Sequence, residues 1–267
     1  ADLKVYSTLA EYEEATGNKI EKFNEAPMLR TLVAAGELPP VEQRISEEPL
    51  VVELDEGPAQ YGGILRSPAR GVQHGEDMNF TRAQCLLAPS RDDFDTVVPE
   101  ITKDWDFSED MKTLTIYLRK GMRWSDGAPV TVDDIMFWHE DVLWNEKLTP
   151  AVPKSWTSGG EPIKMEEIDE YTIRLRFSEP YPGIIPLLAC YGVYDDLILP
   201  KHYLEKYHIK YNPKANEIAK EEGYDSWYQC FLFHKTSSID IGDPNKPSVF
   251  PWVLKEITPA GDKIYVR

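Results

Sequence analysis

The run from Leu118 to Ile135 constrains the fold of this 267-residue chain most strongly, because it combines a strand end, a turn and a helix start. Just before it, residues 112–119 alternate between polar and apolar side chains, which is typical of a half-buried strand. Gly121 follows the strand, and Ser125-Asp126-Gly127 favours a tight turn, because Asp bonds its own backbone and Gly accepts a positive φ. The sequence therefore predicts a strand that leads through a turn into the next element.

A capped helix is predicted after this turn, over residues 132–144. Thr131 is placed to cap it, and Asp133 and Asp134 fall in its first turn, where carboxylates oppose the positive end of the helix dipole. A second alternating segment, residues 170–177, predicts another strand. Because strands and helices are mixed along the chain, the pattern favours an α/β sheet protein over a sandwich or a helical bundle.

Residues 98–119 and 120–135, taken together, resemble the family 5 extracellular solute-binding proteins, which are the peptide, nickel and oligosaccharide receptors of ABC importers. Order, spacing and residue identity agree across several blocks, so the resemblance does not depend on one short pattern. It extends from Tyr61-Gly-Gly-Ile-Leu-Arg66, which is similar to the family's first core strand, to the end of the chain. The segments before Tyr61 resemble a subgroup with an N-terminal extension.

The resemblance implies a periplasmic-binding-protein-like α/β fold of the cluster C type, with most of lobe I present, an inserted α/β subdomain, and the second lobe absent. Lys263-Ile-Tyr-Val-Arg267 is similar to the strand that leads into an Arg-Asn-Pro-Tyr-Tyr-Trp motif, so we expect the N-terminal portion of a longer receptor. The expected parts are an N-terminal helical extension and linker (1–57), a first segment of the main subdomain of lobe I (58–84), the inserted subdomain (85–191), and a second segment up to the hinge (192–267).

Short helices are predicted in the extension and again in the last third of the chain. Residues 7–16 and 25–35 are followed by Gly17 and Gly36, and a glycine is a common helix stop. Further helices are predicted over residues 200–207, 214–222 and 226–233.

Charge and hydropathy exclude several classes of partner. The chain has 29 Lys and Arg against 46 Asp and Glu, and its net charge of −17 argues against a general affinity for nucleic acid or anionic lipid. No apolar run reaches the ~18 residues that a membrane-spanning helix needs, and no charged-then-apolar leader stands at Ala1. The resemblance implies a periplasmic or extracellular protein that contacts the membrane only through a lipid anchor.

The three cysteines are too widely spaced for a redox or zinc motif of the CxxC type. Cys190 and Cys230 have apolar neighbours, which favours buried free thiols. A single disulfide in an oxidising compartment is the alternative.

Motifs of common catalytic and metal sites are missing from the sequence. His139-Glu140 lacks the second histidine of a helical zinc motif, and His202 and His208 are spaced to lie on different sides of a helix, as exposed or capping residues. Residues 240–245 resemble a calcium loop, but Pro251 stands where its last glutamate is required, so turn chemistry explains them better. We expect no enzyme activity, no metal and no cofactor.

Aromatic side chains are the candidates for solute binding, because a Trp or Tyr ring can stack on a sugar or pack against a peptide side chain. By the resemblance, Trp252 lies in a strand beside the cleft between the lobes. Trp156 lies in a polar loop, and Trp227 begins an apolar helix. In related receptors, the stretch equivalent to residues 70–79 faces the cleft. The predicted ligand contacts are Trp252, Trp156, Trp227, His74 and Asn79, whereas Trp105, Trp124 and Trp138 are assigned to packing.

The resemblance implies a receptor that delivers an oligosaccharide or an oligopeptide to an ABC importer, by closing two lobes on the solute. The supply of aromatic residues favours the oligosaccharide. The expected partners are the solute and the ABC permease subunits, and we expect a monomer that binds no nucleic acid. A fragment of a secreted glycan-acting enzyme is the alternative, and a domain used only for protein interaction is a third.

Overall fold

The computed structural model describes residues 4–53, 60–66, 85–90, 95–189, 197–236 and 243–266. The strands are β1 (Lys4–Tyr6), β2 (Val51–Glu53), β3 (Leu87–Pro89), β4 (Val97–Pro99), β5 (Thr102–Phe107), β6 (Thr113–Leu118), β7 (Thr157–Ser158), β8 (Glu161–Pro162), β9 (Lys164–Asp169), β10 (Thr172–Arg176), β11 (Val253–Ile257) and β12 (Lys263–Val266). The α-helices are α1 (Leu9–Thr16), α2 (Arg30–Ala34), α3 (Val41–Arg44), α4 (Val132–Phe137), α5 (Ile184–Leu188), α6 (Lys201–Leu204), α7 (Ala215–Glu221) and α8 (Trp227–Lys235).

A four-stranded antiparallel sheet in the order β5-β6-β10-β9 forms the centre of the described structure. Leu114 pairs with Leu175 and Ile116 with Ile173, and all four side chains are buried on one face of the sheet. The two strands predicted from alternation are therefore confirmed, each shortened by a residue or two at its ends. Apolar side chains of α4 complete the core on this face.

Helix α4 begins where the sequence predicts. Thr131 and Asp134 form the capping box, and beyond Phe137 the helix continues as a π-helical stretch, Trp138–Leu143. Together the two stretches span the predicted helix of residues 132–144 almost completely. The inward-facing residues of both stretches, Phe137 and Trp138 among them, are buried in the core.

The Asp134 carboxylate also binds two groups outside its own helix. Its Oδ2 accepts hydrogen bonds from the indole N–H of Trp124, at 3.0 Å, and from the Thr131 backbone N–H, at 3.2 Å. Its Oδ1 accepts the backbone N–H of Lys201, the first residue of α6, at 3.1 Å. Burial raises the pKa of Asp134, although these three hydrogen bonds act in the opposite direction.

The N-terminal extension is held to the sheet by Arg119, whose side chain is buried at the end of β6. Its guanidinium donates to the carbonyl oxygens of Glu100, at 2.7 Å, and Glu48, at 3.0 Å, and to the backbone oxygen of Ser7. Three segments that are distant in sequence therefore meet at one side chain. The same hydrogen bonds give the backbone carbonyl groups of these three residues a donor.

The helices of the extension are confirmed in part. Helix α1 is capped by Thr8 and ends at Gly17, which adopts a left-handed conformation with φ of 71°. The helix predicted over residues 25–35 is shorter and covers only α2, again followed by a glycine with positive φ, Gly36. The three helices predicted after residue 200 correspond to α6 with the 3-10 turn Glu205–Tyr207, α7 and α8.

The predicted first core strand, Tyr61–Arg66, is not a strand in this structure. Tyr61, Ile64 and Leu65 are all more than 60% exposed. An extended segment becomes a strand only when a neighbouring backbone pairs with it, and within the described ranges no strand does so. Strands β11 and β12 likewise form a separate two-stranded hairpin, on which Ile257, Ile264 and Val266 are exposed.

The predicted mixed α/β class is confirmed. In the part of the chain that the structure covers, none of the helices combines the length and the apolar composition that a bilayer crossing requires.

We predict that Asp134→Ala lowers the free energy of unfolding by about 2–4 kcal/mol, because it removes the helix cap and leaves buried N–H donors without an acceptor. The neighbouring Asp133→Ala is the matched control. The Asp133 carboxylate pairs with Lys201 Nζ at 2.8 Å but is largely exposed, so its loss should cost less than about 1 kcal/mol. Urea denaturation of both variants measures the difference, and equal losses would contradict the role given to Asp134.

Candidate functional site

Trp156 lies in the core, so the prediction that its loop leaves it free for a solute is wrong. It ends the 3-10 turn Lys154–Trp156, and only 5% of it is exposed. Its ring meets the ring of Trp138 edge to face, with centroids 4.7 Å apart. The polar neighbours in sequence suggested exposure, but the turn directs the indole inward. The packing roles predicted for Trp105, Trp124 and Trp138 are confirmed, since all three belong to or pack against the core.

Trp227 and Trp252 are both half-buried. Trp227 is the first residue of α8 and packs edge to face on His208, with centroids 4.9 Å apart. Trp252 directly precedes β11. His74 and Asn79 lie outside the described residues. Trp156 belongs to the hydrophobic core and Trp227 packs against it, and the solute-binding roles of Trp227 and Trp252 stay predictions.

His208 is buried among aromatic rings rather than exposed or capping, so that prediction is wrong for His208 and holds for the exposed His202. The rings that contact His208 are those of Phe137, Tyr211, Trp227 and Phe231. The Lys210 backbone N–H donates to Nδ1 at 3.3 Å, so Nε2 carries the proton and donates to the Asp141 carbonyl oxygen at 3.2 Å. Burial lowers the pKa of His208 and outweighs the opposing effect of Asp141.

A second buried histidine, His234 on α8, bridges two carboxylates. Its Nδ1 lies 2.7 Å from Asp243 Oδ2, and its Nε2 lies 2.7 Å from Glu222 Oε2. The Tyr207 ring stacks on the imidazole, with centroids 3.6 Å apart and planes 12° from parallel. The two carboxylates therefore fix the imidazole of His234 within its ring plane, and the Tyr207 ring packs against one face of it.

Asp243 also accepts hydrogen bonds from groups other than His234. Its Oδ2 also accepts the Tyr203 hydroxyl, and its Oδ1 accepts the backbone N–H of Asn245 at 2.9 Å, which is the turn chemistry expected for this segment. Burial raises the pKa of Asp243, but the hydrogen bonds from Tyr203, Asn245 and His234 outweigh it, and the pKa lies below its ordinary value.

Cys230 completes this cluster one helical turn before His234. Its thiol is buried and free, as predicted, and Sγ lies 3.5 Å from Glu222 Oε2. Burial, followed by the nearby Glu222 carboxylate, raises the pKa of Cys230 to about 12. The sequence analysis missed His234 and its two carboxylates, although the spacing of four between Cys230 and His234 on a predicted helix was an available signal. Cys190 lies outside the described residues.

An open groove of about 820 Å³ lies between the N-terminal extension and the start of β5. Its lining is mostly from the extension and includes Glu11, Glu47 and Glu48. The Glu48 carboxylate is paired with Lys103 at 2.9 Å. Trp156, Trp227 and Trp252 do not line this groove, so it is separate from the aromatic candidates.

The four-stranded sheet, α4 and the helices as far as the start of α8 lie in the region that matches a known family. Residues 96–229 match the family model of the bacterial extracellular solute-binding proteins, family 5 Middle. The chain belongs to this family. Family 5 solute-binding proteins are binding components of transport systems and not enzymes, and their periplasmic or extracellular relatives include receptors for oligopeptides and oligosaccharides.

Among the relatives of this family 5 chain is the periplasmic alpha-galactoside-binding protein of Rhizobium meliloti, which is 31% identical over 199 residues, 67% of this chain and 28% of the relative. A solved structure of an oligopeptide-binding protein OppA superimposes with a TM-score of 0.79 at 34% identity, over 95% of this chain and 38% of that one. MelB of Agrobacterium fabrum, solved with stachyose, superimposes with a TM-score of 0.61 at 25% identity, over 90% of this chain and 36% of MelB. The chain thus spans between a quarter and two fifths of the length of these proteins.

We predict that protonation of His208 destabilises the fold in mild acid. The unfolded chain takes up this proton near pH ~6.5, whereas the folded chain does so only at lower pH. The stabilisation that comes from keeping His208 neutral is therefore complete above the pKa of His208 in the unfolded chain. It is lost as the pH falls from that value towards the pKa of His208 in the folded chain. A pKa difference of one between the two states corresponds to about 1.4 kcal/mol.

Urea midpoints between about pH 7.5 and pH 5.5 measure this loss. His208→Gln should flatten the pH dependence, and His202→Gln, which leaves the aromatic cluster intact, should keep it. An unchanged slope in His208→Gln would rule out His208 as its origin.

Proposed function

We propose that this chain is the N-terminal part of an extracellular receptor that delivers an oligosaccharide or an oligopeptide to an ABC importer. The observation that carries the proposal is the superposition on an oligopeptide-binding protein over 95% of the chain at 34% identity, together with the family match. The proposed partners are the solute and the permease subunits of the importer. The receptor acts as a monomer, and a lipid anchor is its one contact with the membrane.

The exposed apolar residues support the assignment of this chain to lobe I. Among them are Ile257, Ile264 and Val266 on the hairpin of β11 and β12, and Ile64 and Leu65 on the extended segment. Large exposed apolar side chains that lie close together commonly mark a surface that a partner covers. Because the chain spans 38% of the OppA structure, the remainder of a longer receptor is the proposed cover, with the second lobe across the cleft.

An oligosaccharide is the proposed solute class. The alpha-galactoside-binding protein and MelB, which was solved with stachyose, align with 67% and 90% of the chain. The chain also supplies seven Trp and 14 Tyr side chains. Aromatic rings stack on the apolar faces of sugars while their N–H or O–H groups remain available as hydrogen-bond partners. An oligopeptide is the second candidate, favoured by the OppA superposition, and a titration with both ligands separates them.

We predict that Trp252→Ala weakens solute binding by the longer receptor roughly tenfold to a hundredfold, because a lost stacking partner costs about 1–3 kcal/mol. The residue is half-buried beside β11, so part of its ring is available to a ligand. Calorimetry with stachyose and with an oligopeptide measures the effect.

Trp156→Ala is the matched control for this substitution. Because Trp156 is a core residue, its truncation should cost about 3–5 kcal/mol of stability, while the protein that remains folded binds normally. If Trp252→Ala behaves in the same way as Trp156→Ala, Trp252 is a packing residue and its proposed role fails.

We further predict that this chain alone binds the solute at least about tenfold more weakly than the longer receptor. A cleft buries most of a ligand's surface between its walls, and one wall is missing from the chain. Parallel calorimetry on the two proteins with the same solute tests this, and equal affinities would place the whole site within residues 1–267.

A further inference from the structure

The buried cluster at the C-terminal end of α7 brings three metal-binding side chains together. Cys230 and His234 are one turn apart on the same face of α8, and Glu222, which caps α7, faces them. One donor atom from each residue, Oε2, Sγ and a ring nitrogen, lies within 4.8 Å of the others. The described residues contain no other group of this kind among their His, Cys, Asp and Glu side chains.

Two of the three donor–donor distances are close to those of a zinc site, and the third, from Cys230 Sγ to the His234 ring nitrogen, is within 4.8 Å. Zinc binds oxygen, nitrogen and sulfur at about 2.0–2.3 Å, so two ligand atoms of a tetrahedral site lie roughly 3.3–3.8 Å apart. The Glu222 Oε2 to Cys230 Sγ distance of 3.5 Å already falls in this range. The Glu222 Oε2 to His234 Nε2 distance of 2.7 Å must widen by less than an ångström. Glu222 can supply this movement because it is exposed, whereas the other two side chains are buried.

The hydrogen bond on the far side of His234 is the independent observation that points to a metal. Histidines that bind metals almost always donate their other N–H to a carboxylate, a carbonyl or water, which fixes the ring and raises its basicity. His234 Nδ1 makes this contact with Asp243 Oδ2 at 2.7 Å, which leaves Nε2 directed at the cluster. Tyr203 and Asn245 hold Asp243, and Tyr207 stacks on the imidazole.

The donor set selects the kind of ion. A thiolate and an imidazole are ligands for zinc and similar transition metals, whereas calcium and magnesium prefer oxygen alone. The cluster also contains two carboxylates around one imidazole, so a divalent cation would balance negative charge that is otherwise held close together.

We infer that Glu222, Cys230 and His234 form a binding site for a divalent transition-metal ion of the zinc type, with Asp243 as the positioning residue for His234. The ion would join α7 to α8 and, through Asp243, to the segment that leads to β11. Three protein ligands leave one coordination position, which water reaches from the exposed side of Glu222. The site is distinct from the solute cleft proposed above and does not depend on it.

The inference is tested on the whole chain after removal of metals by a chelator. Titration with Zn²⁺ against a chromophoric chelator should give one ion per chain. Co²⁺ should produce visible d–d bands together with a sulfur-to-cobalt band in the near ultraviolet. Cys230→Ser should abolish the sulfur band, and Asp243→Asn should weaken Zn²⁺ binding by about tenfold to a hundredfold.

A thiol control keeps the test valid if Cys230→Ser does not fold. The Cys85→Ser/Cys190→Ser double variant retains Cys230 as its one thiol, so it should keep the sulfur band and the Zn²⁺ affinity. His202→Gln serves as the histidine control and should bind Zn²⁺ as the natural chain does. The far-ultraviolet circular dichroism of every variant establishes that it is folded.

Two results would overturn the inference. The first is a chain that shows neither stoichiometric Zn²⁺ binding nor a sulfur band with Co²⁺, in which case the cluster is an ion-pair network alone. The second is a folded His234→Gln or Cys230→Ser variant that binds Zn²⁺ with the affinity of the natural chain.

Discussion

The Asp134 carboxylate is the interaction on which the rest of the described structure depends. It caps α4, accepts the indole N–H of Trp124 from the turn before that helix, and accepts the backbone N–H that begins α6. A buried carboxylate is costly unless its oxygens are hydrogen-bonded. Because its partners lie in the turn, at the start of α4 and at the start of α6, satisfying this one group fixes these three parts relative to one another.

Arg119, a second buried charged group, follows the same rule where the chain leaves β6. Its buried guanidinium donates hydrogen bonds to backbone oxygens of Ser7, Glu48 and Glu100. The N-terminal extension is therefore bound to the end of β6 through a charged group that solvent does not reach. The extension also forms most of the acidic groove beside β5. In contrast, the segment of residues 60–66 and the hairpin of β11 and β12 expose large apolar side chains.

The chain therefore combines a well-packed core with segments that expose large apolar side chains. This arrangement agrees with a member of family 5 that spans only part of the length of its relatives. Solute binding, as proposed, takes place beside the exposed hairpin, whereas the cluster of Glu222, Cys230 and His234 lies between two packed helices. A metal ion there would join α7 to α8, so the two proposals concern separate properties of the protein.

The sequence by itself determined the elements whose signals are local. Alternation placed β6 and β10, and Thr131 with Asp134 placed the start of α4, because pleat and capping depend on residues only a few positions apart. Tertiary structure decided which side chains are buried. Trp156 has polar neighbours yet lies in the core, and Tyr61–Arg66 resembles the family's first core strand yet pairs with no strand within the described ranges. The metal-binding cluster required both levels: the helix gave the spacing of Cys230 and His234, but only the packing of α7 and the return of the chain at Asp243 supplied the carboxylates.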